Sequence, residues 1–84
     1  MERKIIVEVV TRTDTEGRVW PMWIVWEDGR RLPIDRVIDV RRAASLKAGG
    51  QGMRYTVMIY GQQRYLWWED PTWFVERGGI EAKK

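Results

Sequence analysis

Three pairs of acidic residues are the candidates for acid–base chemistry in this sequence: Glu27/Asp28, Asp35/Asp39 and Glu69/Asp70. The first and last pairs fall in turn sequences, where aspartate commonly accepts hydrogen bonds from the backbone. The middle pair is flanked by arginines that would neutralise it. Catalysis by paired carboxylates needs an enclosed cleft that raises the pKa of one acid. A chain of 84 residues leaves little room for such a cleft.

The residue types that most other catalytic and metal sites require are missing. The sequence has no histidine and no cysteine, which excludes Ser–His and Cys–His nucleophilic chemistry, disulfides and thiolate metal sites. Ser45 is the single serine and has no evident base beside it. Because only scattered oxygen ligands remain, we predict that the protein is not an enzyme and holds neither a metal nor a cofactor.

The glycine-rich segment 49–52 invites comparison with phosphate-binding loops. A Walker loop has Gly-Lys followed by Ser or Thr at the start of a helix. Here Gly52 is followed by Met53, Arg54 and strand-forming residues. We therefore interpret the segment as a flexible hairpin loop, in which Lys47 and Arg54 flank backbone amides that could meet an anion.

Positive charge is concentrated in the middle of the chain. Residues 30–54 hold seven arginines and lysines against two aspartates, whereas the whole chain has a net charge of +3. A local field of this kind favours an anionic partner. The candidate anion or nucleic-acid contacts are Arg30, Arg31, Arg41, Arg42, Lys47 and Arg54.

Apolar residues alternate with a period of two along most of the chain, which predicts β-strands. The predicted strands cover 3–12, 18–27, 30–34, 36–42, 53–60, 64–69 and 73–76. Asp28-Gly29 is the clearest hairpin turn, and we place further turns at 13–17, 61–63 and 70–71. Pro21 predicts an edge or a bulge in the second strand, because proline cannot donate to the ladder. Short strands and tight turns favour an all-β fold, a small, six-stranded, partly open barrel.

The segment that follows the third strand fits either a helix or a strand. Three apolar residues from Val37 to Ala44 have helical spacing, but Ile38 lies off that stripe. β-branched residues favour a strand. We predict a strand at 36–42, followed by the longest loop of the protein at 43–52.

Six tryptophans, three tyrosines and one phenylalanine are too many large rings for the interior of one small barrel. Alternation places Trp20, Met22, Ile24 and Trp26 on one face of the second strand. The predicted interior is Ile5, Val7, Val9, Met22, Ile24, Trp26, Leu32, Ile34, Val37, Tyr55, Val57, Ile59, Leu66, Trp68, Trp73 and Val75. Alternation turns Trp23, Val25, Tyr60, Tyr65, Trp67 and Phe74 outward. Because a contiguous exposed apolar patch usually marks an interface, the candidate binding surface is Trp23, Tyr60, Tyr65, Trp67 and Phe74.

Several short stretches resemble a group of short bacterial proteins of unknown function. These stretches are residues 26–31, 34–37, 41–50, 54–57 and 73–77, so the similarity spans roughly residues 19–77. The group looks like an SH3-like small barrel, and the resemblance therefore implies that fold. It implies no activity and no site residues.

Length and composition predict a single domain, residues 1–84, with its core at about 3–77 and a frayed tail at 78–84. The N-terminal apolar run is too short for a signal peptide, and no stretch reaches the ~20 apolar residues of a spanning helix. We therefore expect a cytoplasmic protein with no membrane contact. The predicted function is a non-catalytic binding module that contacts a protein, or a second copy of itself, through the outward aromatic residues. The alternative is sequence-independent nucleic-acid binding through segment 30–54, with bases stacked on aromatic rings.

Overall fold

The computed structural model describes residues 4–44 and 51–76. Its strands are β1 (Lys4–Thr13), β2 (Val19–Val25), β3 (Arg31–Pro33), β4 (Arg36–Ala44), β5 (Gln51–Ile59), β6 (Gln62–Glu69) and β7 (Thr72–Glu76). All of them pair antiparallel in one sheet, with the order β3-β2-β1-β7-β6-β5-β4. The sheet curls into an open half-barrel, which confirms the predicted all-β, partly open barrel.

The strand boundaries correct the sequence prediction in detail. The predicted count of six is one too low, since each of the seven segments with a strand pattern forms a strand, including the three-residue β3, which pairs with β2. The segment that also fitted a helix is the strand β4, and it continues to Ala44 in register with β5. The predicted loop 43–52 is therefore too long at both ends. Its middle, 45–50 with Lys47, and the predicted frayed tail 78–84 lie outside the described residues.

Gly52 belongs to a strand for a steric reason. A Cβ atom at this position would collide with the main-chain carbonyl of Trp68 on β6. Glycine lets the two backbones approach this closely. The sequence suggested a loop glycine, whereas the structure uses Gly52 for close contact between neighbouring strands.

The inner face of the curled sheet holds the hydrophobic core. Its buried members are Val7, Ile24, Leu32, Tyr55, Val57, Ile59, Leu66, Trp73 and Val75. Every one of them was predicted to face inward. Partly buried residues pack around this core and include the predicted Ile5, Val9, Trp26, Ile34, Val37 and Trp68. Of the residues predicted to face inward, only Met22 is exposed. Val19, Val40 and Met53 also pack against the core and were not in the predicted interior.

A β-bulge explains why Met22 is exposed. Val10 on β1 pairs with Trp23, and the next residue, Thr11, pairs with Pro21. Met22 is thus an extra residue on β2 with no partner of its own. Beyond a bulge of this kind, odd- and even-numbered side chains exchange the faces of the sheet to which they point. The irregularity predicted from Pro21 is confirmed, but its effect on side-chain direction was not foreseen.

Beyond the bulge the two faces of β2 are exchanged. Pro21 is buried, and Val19 packs against the core. Trp20, predicted to share a face with Ile24, instead turns to the loop between β1 and β2. There its indole N–H donates a 3.0 Å hydrogen bond to the carboxylate of Asp14.

Asp14 organises the loop between β1 and β2. Its carboxylate accepts hydrogen bonds from the backbone N–H groups of Glu16 and Arg18, both at 2.9 Å, and from Arg18 Nε at 3.1 Å. Together with the bond from Trp20, these donors stabilise the charged form of the carboxylate. They hold the pKa of Asp14 well below its ordinary value. The loop conformation therefore depends on an ionised Asp14.

One hydrogen bond crosses the interior of the curl. The hydroxyl of Tyr55 on β5 donates to the carbonyl of Val19 on β2 at 2.7 Å. Burial raises the pKa of Tyr55, so the hydroxyl remains a proton donor at neutral pH. Three strands lie between β2 and β5 in the sheet. Only a strongly curved sheet brings these two positions within hydrogen-bond distance.

The connection between β3 and β4 joins the same two parts of the sheet. The backbone N–H of Ile34 donates to the carbonyl of Met22 on β2 at 3.0 Å. The N–H of the next residue, Asp35, donates to the carbonyl of Met58 on β5 at 2.8 Å. Consecutive residues thus bind both sides of the opening, which closes one end of the half-barrel.

We expect Tyr55→Phe to lower the free energy of unfolding by about 1 kcal/mol, because it removes a hydrogen bond and leaves the Val19 carbonyl without its donor. Chemical denaturation measures this change. Tyr65→Phe is the matched control, since that ring lies on the outer face and is partly exposed, and it should change stability by less than about 0.5 kcal/mol. Equal losses in both variants would contradict the role of the cross-barrel bond.

We expect the stability of the protein to fall as the pH drops below about 4, in part through Asp14. Its folded-state pKa lies below the ordinary value of 3.8, so its stabilising contribution is complete above that value and is lost as the carboxylate becomes protonated. Thermal unfolding of the wild type and of Asp14→Asn between about pH 2 and 7 tests this. The midpoints of the two proteins should converge as the pH falls, and a constant difference would be the opposite result.

Candidate functional site

The outer face of the sheet carries a continuous row of side chains across four strands. Ile6 on β1 lies opposite Phe74 on β7, which lies opposite Trp67 on β6. Trp67 in turn lies opposite Arg54 on β5. Since facing residues on one side of a sheet are about 5 Å apart, this row places three of the predicted site residues in contact.

Trp67 and Phe74 project outward as predicted, but neither is accessible. Trp67 is 2% and Phe74 is 0% exposed. Their rings stack with centroids 5.4 Å apart, and the Lys4 ammonium lies 4.7 Å from the centroid of Phe74 while it pairs with Glu69 at 2.8 Å. The prediction that these two residues belong to the binding surface is therefore wrong, because both side chains are buried.

Tyr65 remains accessible beside this stack. Its ring is 42% exposed and meets Trp67 edge-on, with centroids 5.7 Å apart. The guanidinium of Arg54 lies 4.4 Å from the ring centroid of Tyr65. Arg54 Nε and Trp67 Nε1 are buried and have no hydrogen-bond partner among the described residues. Arg54 is thus held against the outer face by aromatic contacts, and we call Lys4, Arg54, Tyr65, Trp67 and Phe74 the Tyr65 cluster.

A second accessible aromatic residue, Trp23, lies at the other side of the outer face. It is 37% exposed and stands between Val10 on β1 and Pro33 on β3. The guanidinium of Arg31 is 5.7 Å from its ring centroid. In the next row Glu8, Val25 and Arg31 lie side by side. We call the outward residues of these three strands the Trp23 face: Ile6, Glu8, Val10, Trp23, Val25, Arg31 and Pro33.

Several members of the Trp23 face were not predicted as site residues. Ile6 and Val10 are exposed large apolar residues on β1. The sequence held a signal for them, because the first strand is apolar on both of its faces: Ile5 and Val7 on one, Ile6 and Val10 on the other. One face had to stay outside the core.

Tyr60 is the most exposed of the predicted aromatic residues. It is 69% exposed and lies at the tip of the hairpin between β5 and β6. Tyr60 and Gly61 both have positive φ, at 51° and 75°, which is the pattern of a type I′ turn. The turn predicted at 61–63 is therefore displaced: the turn consists of residues 60 and 61, and residues 62 and 63 already belong to β6.

The two accessible sheet aromatics do not form one patch. Trp23 on β2 and Tyr65 on β6 are separated by β1 and β7. Along the strand direction Trp23 is level with Val10 of β1. Tyr65 is two residues before Trp67 on β6, which places it level with Lys4 of β1. Lys4 and Val10 are six residues apart on β1, so the two aromatic residues are offset by about 20 Å along the strands. The predicted surface is thus divided into the Trp23 face and the Tyr65 cluster.

The arginines predicted to contact an anion differ in their interaction partners. Arg30 pairs with Asp28, and Arg41 pairs with Asp39, each at 2.8 Å. The exposed Arg42 has no ion pair within residues 4–44 and 51–76. Arg31 and Arg54 are also without one there and lie over aromatic rings. The structure thus divides these arginines between ion pairs and aromatic contacts, with Arg31 on the Trp23 face and Arg54 in the Tyr65 cluster.

The acidic residues of the described chain serve mainly local structure. Asp28 accepts a hydrogen bond from the backbone N–H of Arg30 at 3.0 Å, and this contact lowers the pKa of the Asp28 carboxyl. In the described ranges no three acidic side chains converge on a point that could hold a metal ion.

Across the same ranges, no helix has the length and apolar character needed to cross a membrane.

We expect Tyr60→Asn to raise the free energy of unfolding by about 0.5–1 kcal/mol, because asparagine tolerates positive φ better than tyrosine and favours this turn position. Urea denaturation measures the change. Gly61→Ala should act in the opposite direction, since it introduces a Cβ at positive φ. A loss of stability in Tyr60→Asn would show that the tyrosine ring contributes contacts that outweigh its strained backbone.

No family model matches this chain, and comparison with curated proteins and with solved structures gives no significant match. The resemblance to short bacterial proteins therefore stays a prediction, and we infer a function from the outer face of the sheet.

Proposed function

We propose that this protein is a non-catalytic protein-binding module and that the Trp23 face is its contact surface. The observation that carries the proposal is the row of Val10, Trp23 and Pro33 on the outer face, with Trp23 and Val10 both accessible. Contiguous exposed apolar patches usually mark interfaces in small proteins. Tryptophan and arginine are also the residues that most often dominate binding energy at interfaces.

The chemistry of the Trp23 face suits a protein partner better than a nucleic acid. Its charged members are one acid, Glu8, and one base, Arg31, so the face is neutral overall. Phosphate backbones are bound by several unopposed cations along a groove. A neutral face with an apolar centre is instead the usual composition of a protein contact, in which polar residues form the rim.

Nucleic-acid binding is a second candidate, and the Tyr65 cluster favours it. An accessible tyrosine ring under an arginine could stack a base while the guanidinium meets a phosphate. Two further aromatic residues that would extend such a platform, Trp67 and Phe74, are buried. The nearby Arg41 is already paired with Asp39. The cluster therefore offers a single stacking position, which is why we rank this function second.

Two binding experiments, which share the Trp23→Ser variant, separate the candidates. In the first, immobilised protein is exposed to an extract of its source cells, and the retained proteins are quantified by mass spectrometry. We expect specific partners to be retained by the wild type and by the control Tyr60→Ser, and to be lost from Trp23→Ser. Retention of the same proteins by Trp23→Ser would contradict the proposed surface.

In the second experiment a labelled single-stranded oligonucleotide is titrated at about 50 mM and about 200 mM salt. Phosphate contacts would make its affinity fall steeply with salt. We expect only weak binding that Arg54→Gln does not change. Tight, salt-dependent binding that is lost in Arg54→Gln and kept in Trp23→Ser would favour the nucleic-acid function instead.

A further inference from the structure

The charges on the Trp23 face are arranged so that they complement each other in two copies. Glu8, Val25 and Arg31 form one row across β1, β2 and β3, with opposite charges at its ends and an apolar residue in the middle. Within the described part of the chain neither Glu8 nor Arg31 has an ion pair. Both charges are therefore available to a partner.

We propose that the Trp23 face binds a second copy of this chain, sheet against sheet, about a two-fold axis parallel to β2. The inference rests on the proposed function and specifies its partner. A half-turn about this axis keeps each row at its height along the strands and exchanges β1 with β3. Packed sheets commonly align their strands within about 30°, so the arrangement is an ordinary sheet packing.

This axis brings unlike charges together at both ends of the row. Glu8 of one copy lies over Arg31 of the second copy, and the same contact forms again on the other side of the axis. In the neighbouring row Val10 lies over Pro33 of the second copy, and Trp23 meets its own equivalent at the centre. The dimer therefore has an apolar centre between two ion pairs, and the contact is isologous as in most homodimers.

The alternative two-fold arrangement is unfavourable. An axis across the strands would place each strand over its own equivalent, and at the level of this row Glu8 would face Glu8 and Arg31 would face Arg31. Because Glu8 is on β1 and Arg31 is on β3, no position of that axis brings the two opposite charges together. Like charges held opposite each other at an interface weaken association strongly. The charge pattern thus selects the axis parallel to β2.

The size of the face predicts a weak dimer. Three strands are about 14 Å wide, and the segment from Ile6 to Val10 is about 17 Å long. The area that these two dimensions enclose is smaller than the roughly 800 Å² that each partner buries in a stable interface. We therefore expect a dissociation constant well above about 1 µM.

Charge reversal tests the proposed register directly. The molar mass of wild type, Glu8→Arg, Arg31→Glu and the double variant is measured by sedimentation equilibrium up to about 1 mM protein at low salt. We expect the wild type to shift towards the dimer mass as concentration rises. Each single variant should weaken association at least about 10-fold, because it places like charges opposite each other twice. The double variant should associate like the wild type.

An equal mixture of Glu8→Arg and Arg31→Glu provides the sharpest result. In a mixed dimer the arginine introduced at position 8 of one copy faces the glutamate introduced at position 31 of the other, and the native pair forms at the opposite end. The mixture should therefore dimerise although each component alone does not. Glu16→Arg, in the loop beyond the Trp23 face, makes the same charge change as Glu8→Arg and should leave association unchanged. Circular dichroism of each variant checks that the folds match.

Two outcomes would overturn the inference: a wild type that stays monomeric at every concentration, or a mixture no heavier than its components. Neither outcome would contradict the proposed function, because the retention experiment measures separately whether the binding of other proteins depends on Trp23. Conversely, loss of the proposed surface would appear as a Trp23→Ser variant that dimerises and retains proteins like the wild type.

Discussion

Cross-strand pairing of the bulky rings on β6 and β7 fixes the register of these two strands on both faces of the sheet. Trp68 lies opposite Trp73 on the inner face, and Trp67 lies opposite Phe74 on the outer face. Both pairs stack, with centroids 5.5 Å and 5.4 Å apart. A slip of one residue would exchange the two faces, so stacking on both sides holds a single register.

This register determines what each face can do. On the inner face Trp73 packs against Tyr55, whose hydroxyl joins β5 to β2 across the curl. On the outer face the stack is closed, so it removes two large rings from contact with other molecules. The most exposed aromatic residues on the described strands are then Trp23 and Tyr65, each beside an arginine and far from the other. A single broad aromatic surface is thereby replaced by two small ones of different chemistry.

Simple alternation predicted the inner face well because one side of each strand must be buried whatever the strand order. It also favoured a strand over a helix for β4, through its β-branched residues. Alternation could not show that Met22 is extra, since a bulge is defined by the register of the partner strand, β1. For the same reason it could not show that Trp67 and Phe74 are sealed: their burial requires that β6 and β7 pair in one particular register. Exposure on the outer face is a property of strand pairs, and a single sequence reports it only indirectly.

The accessibility of individual tryptophans tests this account most directly. Protein labelled with 5-fluorotryptophan gives one ¹⁹F resonance for each indole, and a soluble gadolinium chelate broadens those that solvent reaches. We expect the resonance of Trp23 to be strongly broadened and those of Trp67 and Trp73 to stay sharp, because Trp67 and Trp73 are buried. Broadening of Trp67 to the same degree as Trp23 would contradict the closed outer stack, and with it the division of the surface into two separate sites.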